Sequence, residues 1–119
     1  MTAGRAIERV GHDVEVALGP DAVHIGLSVG TNPEISIATT EVTPSVTGTF
    51  LHPGETEDQL TSRLASTVQD CLTESRRHVG VAWPPCPHPS HAHPLDPDRS
   101  PGRWTCPTTG GPVATIGQL

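Results

Sequence analysis

Lysine and tyrosine are absent from this chain, phenylalanine occurs once and tryptophan twice. All seven cations are therefore arginines, set against 13 acidic residues, for a formal charge of −6. Nucleic-acid binding needs clustered Lys and Arg to displace counterions, so this balance argues against a nucleic-acid partner. The densest cationic spot, Arg76-Arg77, reads as a helix end. No stretch approaches the ~20 apolar residues of a membrane span, which argues against a membrane partner. The first residues also lack the apolar run of a signal peptide. A cytoplasmic protein is the expectation, in a compartment where thiols stay reduced. There, cysteines near histidines signal a metal more often than a disulfide. Arginine without lysine, beside abundant Ala, Gly, Pro, Thr and Val, is expected of a high-G+C coding sequence, actinobacterial or phage.

Aromatic side chains are too few to build the core, so aliphatic ones must. The apolar share is only 34%, while Pro (13) and Gly (12) are plentiful and the prolines concentrate after residue 80, a low-apolar composition for a globular chain. A length of 119 residues fits one domain with a modest core. One compact module over the first two-thirds is expected, followed by a tail that needs other support.

Residues 2–11 read as a short helix with Ala6, Ile7 and Val10 on one side, broken by Gly11 and Asp13. From Asp13 the period changes to two. Val14, Val16 and Leu18 alternate with Asp13, Glu15 and Ala17, the pattern of a half-buried strand. Val23, Ile25, Leu27 and Val29 form the cleanest alternation, after the turn residues Gly19-Pro20-Asp21. A third strand carries Ile35 and Ile37 toward the Thr-rich stretch 39–43, and Val46 to Leu51 makes a fourth. Short turns between consecutive strands predict an antiparallel meander. Thr56-Glu57-Asp58-Gln59 then has the form of a capping box. Leu60, Leu64, Val68, Cys71 and Leu72 follow in one narrow apolar stripe. Arg76, Arg77 and His78 suit the negative end of the dipole, and Gly80 can close the helix. The fold class read for residues 1–80 is α+β: a four-stranded antiparallel meander covered by one long amphipathic helix. Cys71 belongs to the stripe and reads as a small core hydrophobe.

Residues 81–119 hold the chemistry. Cys86-Pro87 and Cys106-Pro107 lie about twenty residues apart, the interval of paired ligand turns, each with a Trp shortly upstream. His88, His91 and His93 stand between them. Structural zinc takes four N or S donors, usually two from each of two short turns. Pro94 to Arg103 suits a hairpin tip, with residues 103–105 and 112–116 as flanking strands. On these features the segment 83–117 resembles a zinc ribbon. It departs from that pattern in lacking two Cys-x-x-Cys turns: histidines replace one cysteine, and Thr109 stands where another would be. The resemblance implies a bound Zn2+ held by Cys86, His91, His93 and Cys106, with His88 as an alternative ligand. Trp83 and Trp104 are expected to shield the metal and pack the tail on the front module.

None of the motifs H-E-x-x-H, H-x-E…P-C-x-x-C and G-x-S-x-G occurs, nor does a phosphate-cradling glycine loop. The expected function is therefore non-enzymatic: a small interaction, adaptor or structural protein with a protein partner, its C-terminal region made rigid by zinc. The alternative is a small zinc-dependent hydrolase with three ligands and an open position, with Asp96 or Asp98 as general base.

Overall fold

The capping box at the start of the long helix is formed, and that helix packs on the N-terminal helix and on both sheets. In the computed structural model, which describes residues 2–28, 30–40, 46–75, 82–88 and 93–119, this helix runs Glu57–Glu74 and is here α2. The Gln59 amide donates to Thr56 Oγ1 at 3.1 Å, and the Thr56 amide donates to Gln59 Oε1 at 2.9 Å. Two of the helix's open N–H groups are thereby satisfied. Leu60, Leu64, Val68, Cys71 and Leu72 are all buried, as the stripe requires. Arg76, Arg77, His78 and Gly80 lie outside the described residues.

The chain is α+β, with two helices and two three-stranded antiparallel sheets among the described residues. The first sheet has β2 (Glu34–Thr39) between β1 (Val23–Leu27) and β3 (Val46–Phe50), in chain order. Its register pairs Ile25 with Ile37 and Leu27 with Ile35, which puts these aliphatics on one face, β1 packing on the N-terminal helix and β2 on α2. The later part of the Thr-rich stretch, from position 41, lies outside the described residues.

The expected first strand is not one, so the meander has three strands rather than four. Residues 13–18 continue the N-terminal helix, α1, which spans Thr2–Leu18. Ala3, Ala6, Val10 and Val14 form a buried stripe with helical spacing that runs straight through Gly11. In a helix, residues two apart point nearly opposite ways. Val14 accordingly goes in, while Val16 is left 58% exposed. The alternation that looked like a strand was thus local, and packing against α2 selected the longer period.

The C-terminal part forms the second sheet: β4 (Asp96–Ser100), β5 (Arg103–Thr105) and β6 (Pro112–Thr115). The ten residues expected as a hairpin tip thus include a strand, and the tip itself shrinks to Pro101-Gly102 between the paired Ser100 and Arg103. Gly102 has φ +75, and a Cβ there would fall 2.4 Å from Asp58 Oδ1. Only glycine lets the turn reach α2 so closely. Its amide donates to Ser62 Oγ at 2.7 Å.

This region is not held as an appendix poor in buried side chains. Trp83, Leu95, Trp104 and Ile116 enter the same core cluster as the α1 and α2 stripes. Two polar residues one turn apart on α1 secure them. Asp13, with no exposed surface, accepts from Trp104 Nε1 at 2.6 Å and from the amides of Gly117 (2.7 Å) and Leu119 (3.1 Å). Its backbone carbonyl accepts from Trp83 Nε1 at 3.2 Å. Arg9 donates to the carbonyls of Ile116 (2.9 Å) and Gly102 (3.2 Å), and to the carboxylates of Glu57 and Asp58. No helix among the described residues is long and apolar enough to cross a membrane.

Helix α1 carries two measurable consequences for stability. Replacing Asp13 by Ala strands a buried indole N–H and two amides, and an unmatched buried donor costs about 1–3 kcal/mol. Asp13→Ala should lower unfolding free energy by about 3 kcal/mol or more in urea titration. Gly11 lies inside the helix, and a Cβ added there would meet nothing within 4 Å. Gly11→Ala should therefore raise stability by about 0.5–1 kcal/mol. An unchanged midpoint for Asp13→Ala would mean that the tail is held by something else.

Candidate metal centre

Three short backbone segments meet beside the tryptophan pair. The first is the turn after Trp83, whose peptide bond to Pro84 is cis. The second is the approach to β4. Its Leu95 amide donates to the Pro84 carbonyl at 2.9 Å, and Pro85 and Pro94 face each other in an isolated antiparallel bridge. In that register Cys86 and His93 come out opposite one another. Gln69 of α2 clamps the arrangement from below, its Nε2 donating to the carbonyls of Trp83 (3.1 Å) and Leu95 (2.7 Å). The third segment is the turn Cys106-Pro107-Thr108-Thr109-Gly110. It is closed by Gly110 N donating to the Cys106 carbonyl at 2.7 Å, and by Cys106 N donating to the Gly111 carbonyl at 2.9 Å. Gly110 sits at φ +74, where a side chain would be strained.

These turns bring together Cys86, His93 and Cys106, each offering one ligand atom within 4.8 Å of the others. The two Sγ atoms are 3.8 Å apart. Cys86 and His93 are half-buried, and Cys106 is buried. Of the other residues expected as ligands, His88 is exposed and does not join this group, and His91 lies outside the described residues. Asp96 and Asp98, the anticipated bases, are not members either. Asp96 Oδ1 instead accepts from the Asp98 amide at 2.8 Å within β4.

No protein-family model, no characterised protein and no solved structure matches this chain. The chemistry of the site must be read from its own atoms.

The sulfur of Cys106 is set up as a thiolate. The Thr109 backbone N–H is the main cause. The Thr109 hydroxyl, the Thr108 N–H and the Cys86 thiol act in the same direction, and desolvation opposes them. Together they bring its pKa down to about 6. Thr109, which fills the place of a second ribbon cysteine, thus serves the first one as a donor. The signal for this was present in the Thr-Thr-Gly of the turn, since such turns aim successive N–H groups at one point.

The His93 ring is held by contacts at both nitrogens. Its Nδ1 lies 3.3 Å from the Pro94 carbonyl, which can only accept, so that contact places a proton on Nδ1. Nε2 is then the lone-pair nitrogen, 2.7 Å from Thr108 Oγ1. A backbone carbonyl fixing the tautomer of a ligating imidazole is the usual outer-sphere arrangement at metal sites.

The donor set fits a zinc-sized, tetrahedral ion. Two Zn–S bonds of about 2.3 Å at a tetrahedral angle separate the sulfurs by about 3.8 Å, and that is the spacing seen here.

The downward shift at Cys106 sets the pH dependence. The thiolate persists from neutral pH down to about 6 and takes up a proton below it. Metal binding must then compete with that proton. Apparent zinc affinity, read by competition with a chelator, should fall more steeply with each pH unit below about 6 than above it, because Cys106 must then lose a proton to bind. An affinity whose slope does not steepen there would rule out Cys106 as a ligand.

Proposed function

We propose that the protein is a small, non-enzymatic interaction or structural module whose C-terminal region is made rigid by a zinc-ribbon-like structural site. Cys86, His93 and Cys106 are the protein ligands of this reading, with His91 or His88 as the fourth. The observation that carries it is the 3.8 Å sulfur pair facing an oriented imidazole. Two thiolates neutralise the ion's charge and favour a structural over a Lewis-acidic role. Among the described residues the donor group contains no carboxylate, which points the same way. The partner proposed is another protein, engaged through the outer edges of the first sheet. There β1 and β3 are the outer strands and Phe50 is exposed.

One observation favours the hydrolase alternative. The described donors number three, which is the count of an open catalytic site.

Cobalt substitution decides between the two. The module reading expects one metal per chain and a tetrahedral cobalt spectrum that added cyanide leaves unchanged. An open site would shift its bands on adding cyanide. Cys106→Ser should lower metal affinity by at least about tenfold and loosen the tail, read from the near-ultraviolet dichroism of Trp83 and Trp104. A purified chain that takes up no zinc under reducing conditions overturns the proposal.

A further inference from the structure

The same two sulfurs stand at a separation that serves a second chemistry. Cys86 and Cys106 are 3.8 Å apart and are not joined, so a bond between them needs an approach of about 1.8 Å. That lies within the reach of side-chain rotation, because each residue sits in a turn whose backbone is held by its own hydrogen bonds, and the tryptophans just upstream of the two turns pack edge to face. The pair is also asymmetric. Cys86 is half-buried and open to a small solute, whereas Cys106 is 5% exposed. The remaining cysteine, Cys71, is sealed in α2 at 1% exposure and takes no part.

We propose that Cys86 and Cys106 form a peroxide-responsive pair, whose oxidation to a disulfide empties the metal site. The release of metal rests on the zinc reading above, while the cross-link rests on the sulfur geometry alone. The oxidant is a hydroperoxide such as hydrogen peroxide. In the zinc-bound state both sulfurs are thiolates, and the more exposed one, Cys86, attacks one peroxide oxygen; the O–O bond breaks, Cys86 becomes a sulfenic acid, and the hydroxide released takes a proton from solvent and leaves as water. Cys106 sulfur then attacks the Cys86 sulfur, forming the S–S bond and expelling the hydroxyl, which leaves as a second water. Two zinc-bound thiolates, one peroxide and two protons from solvent thus give one disulfide, two waters and Zn2+; in the metal-free chain two thiols and one peroxide give one disulfide and two waters. Both sulfurs give up their lone-pair donation to the ion, which leaves as Zn2+ because the imidazoles that remain cannot retain it without them. The disulfide then ties together the two turns that the metal had joined, so the tail stays docked while the ion is lost.

The test uses the zinc-loaded wild-type chain, treated with hydrogen peroxide in the presence of a chromogenic zinc chelator. Intact mass should fall by two hydrogens. Non-reducing digestion should yield the peptide joining Cys86 to Cys106, with one zinc released per cross-link, and dithiothreitol should reverse both. Cys71→Ser, which leaves the pair intact, should give the same yield. Metal-stripped protein should form the same peptide. If the chain never takes up zinc but the peptide still forms, the pair stands and the metal reading fails. If zinc binds but peroxide gives only sulfinic acid at Cys86, or links through Cys71 or between chains, the inference is overturned.

Discussion

A single buried carboxylate near the start of the chain holds its far end in place. Asp13 takes hydrogen bonds from the Trp104 indole and from the amides of Gly117 and Leu119, and its carbonyl takes one from the Trp83 indole. A polar group without exposed surface is tolerated only when its bonding capacity is met. Here the groups that meet it all come from the last third of the chain. Arg9, one turn earlier on the same face, adds the carbonyls of Gly102 and Ile116. The helix thus presents one acceptor and one cation to a segment that has few aliphatic side chains of its own.

The geometry of the candidate metal centre descends from that contact. Trp83 lies three residues before Cys86, and Trp104 lies two before Cys106. Their rings meet edge to face at 5.3 Å, an arrangement aromatic pairs favour. Fixing the two indoles therefore fixes the starting points of the two cysteine turns. Gln69 and the Pro85–Pro94 bridge set the first turn, and the Gly110 closure sets the second. The ligands lie at the end of this chain of supports, Cys86 and His93 half-buried and Cys106 beneath them. A rigid core beneath a reachable donor set suits both a held ion and oxidation of the sulfurs that hold it.

Much of this was legible from residue order. The capping box and stripe of α2 were readable because their causes are local: Thr56 and Gln59 are three residues apart, and the apolar positions repeat every turn. The strands around Ile25, Ile37 and Thr47, and those at 103–105 and 112–115, were likewise marked by alternation and by turn residues. Cys86, His91, His93 and Cys106, with His88 as an alternative, stood out as donors by residue type, without their order saying which histidine meets the sulfurs. The second half of α1 did not stand out. Val14, Val16 and Leu18 satisfy both a strand and a helix over so short a run, and Gly11 and Asp13 resemble breakers until their surroundings are known.

What the amino-acid order determined by itself, then, is the set of elements whose causes lie within a few residues, together with the chemical nature of the donors. Only the tertiary structure decided that Asp13 is a buried acceptor rather than a helix stop, because its partners are 91 to 106 positions away. It also decided which histidine joins the two sulfurs among the described residues. Proximity of ligands across turns is set by pairing and packing, and spacing along the chain does not encode it.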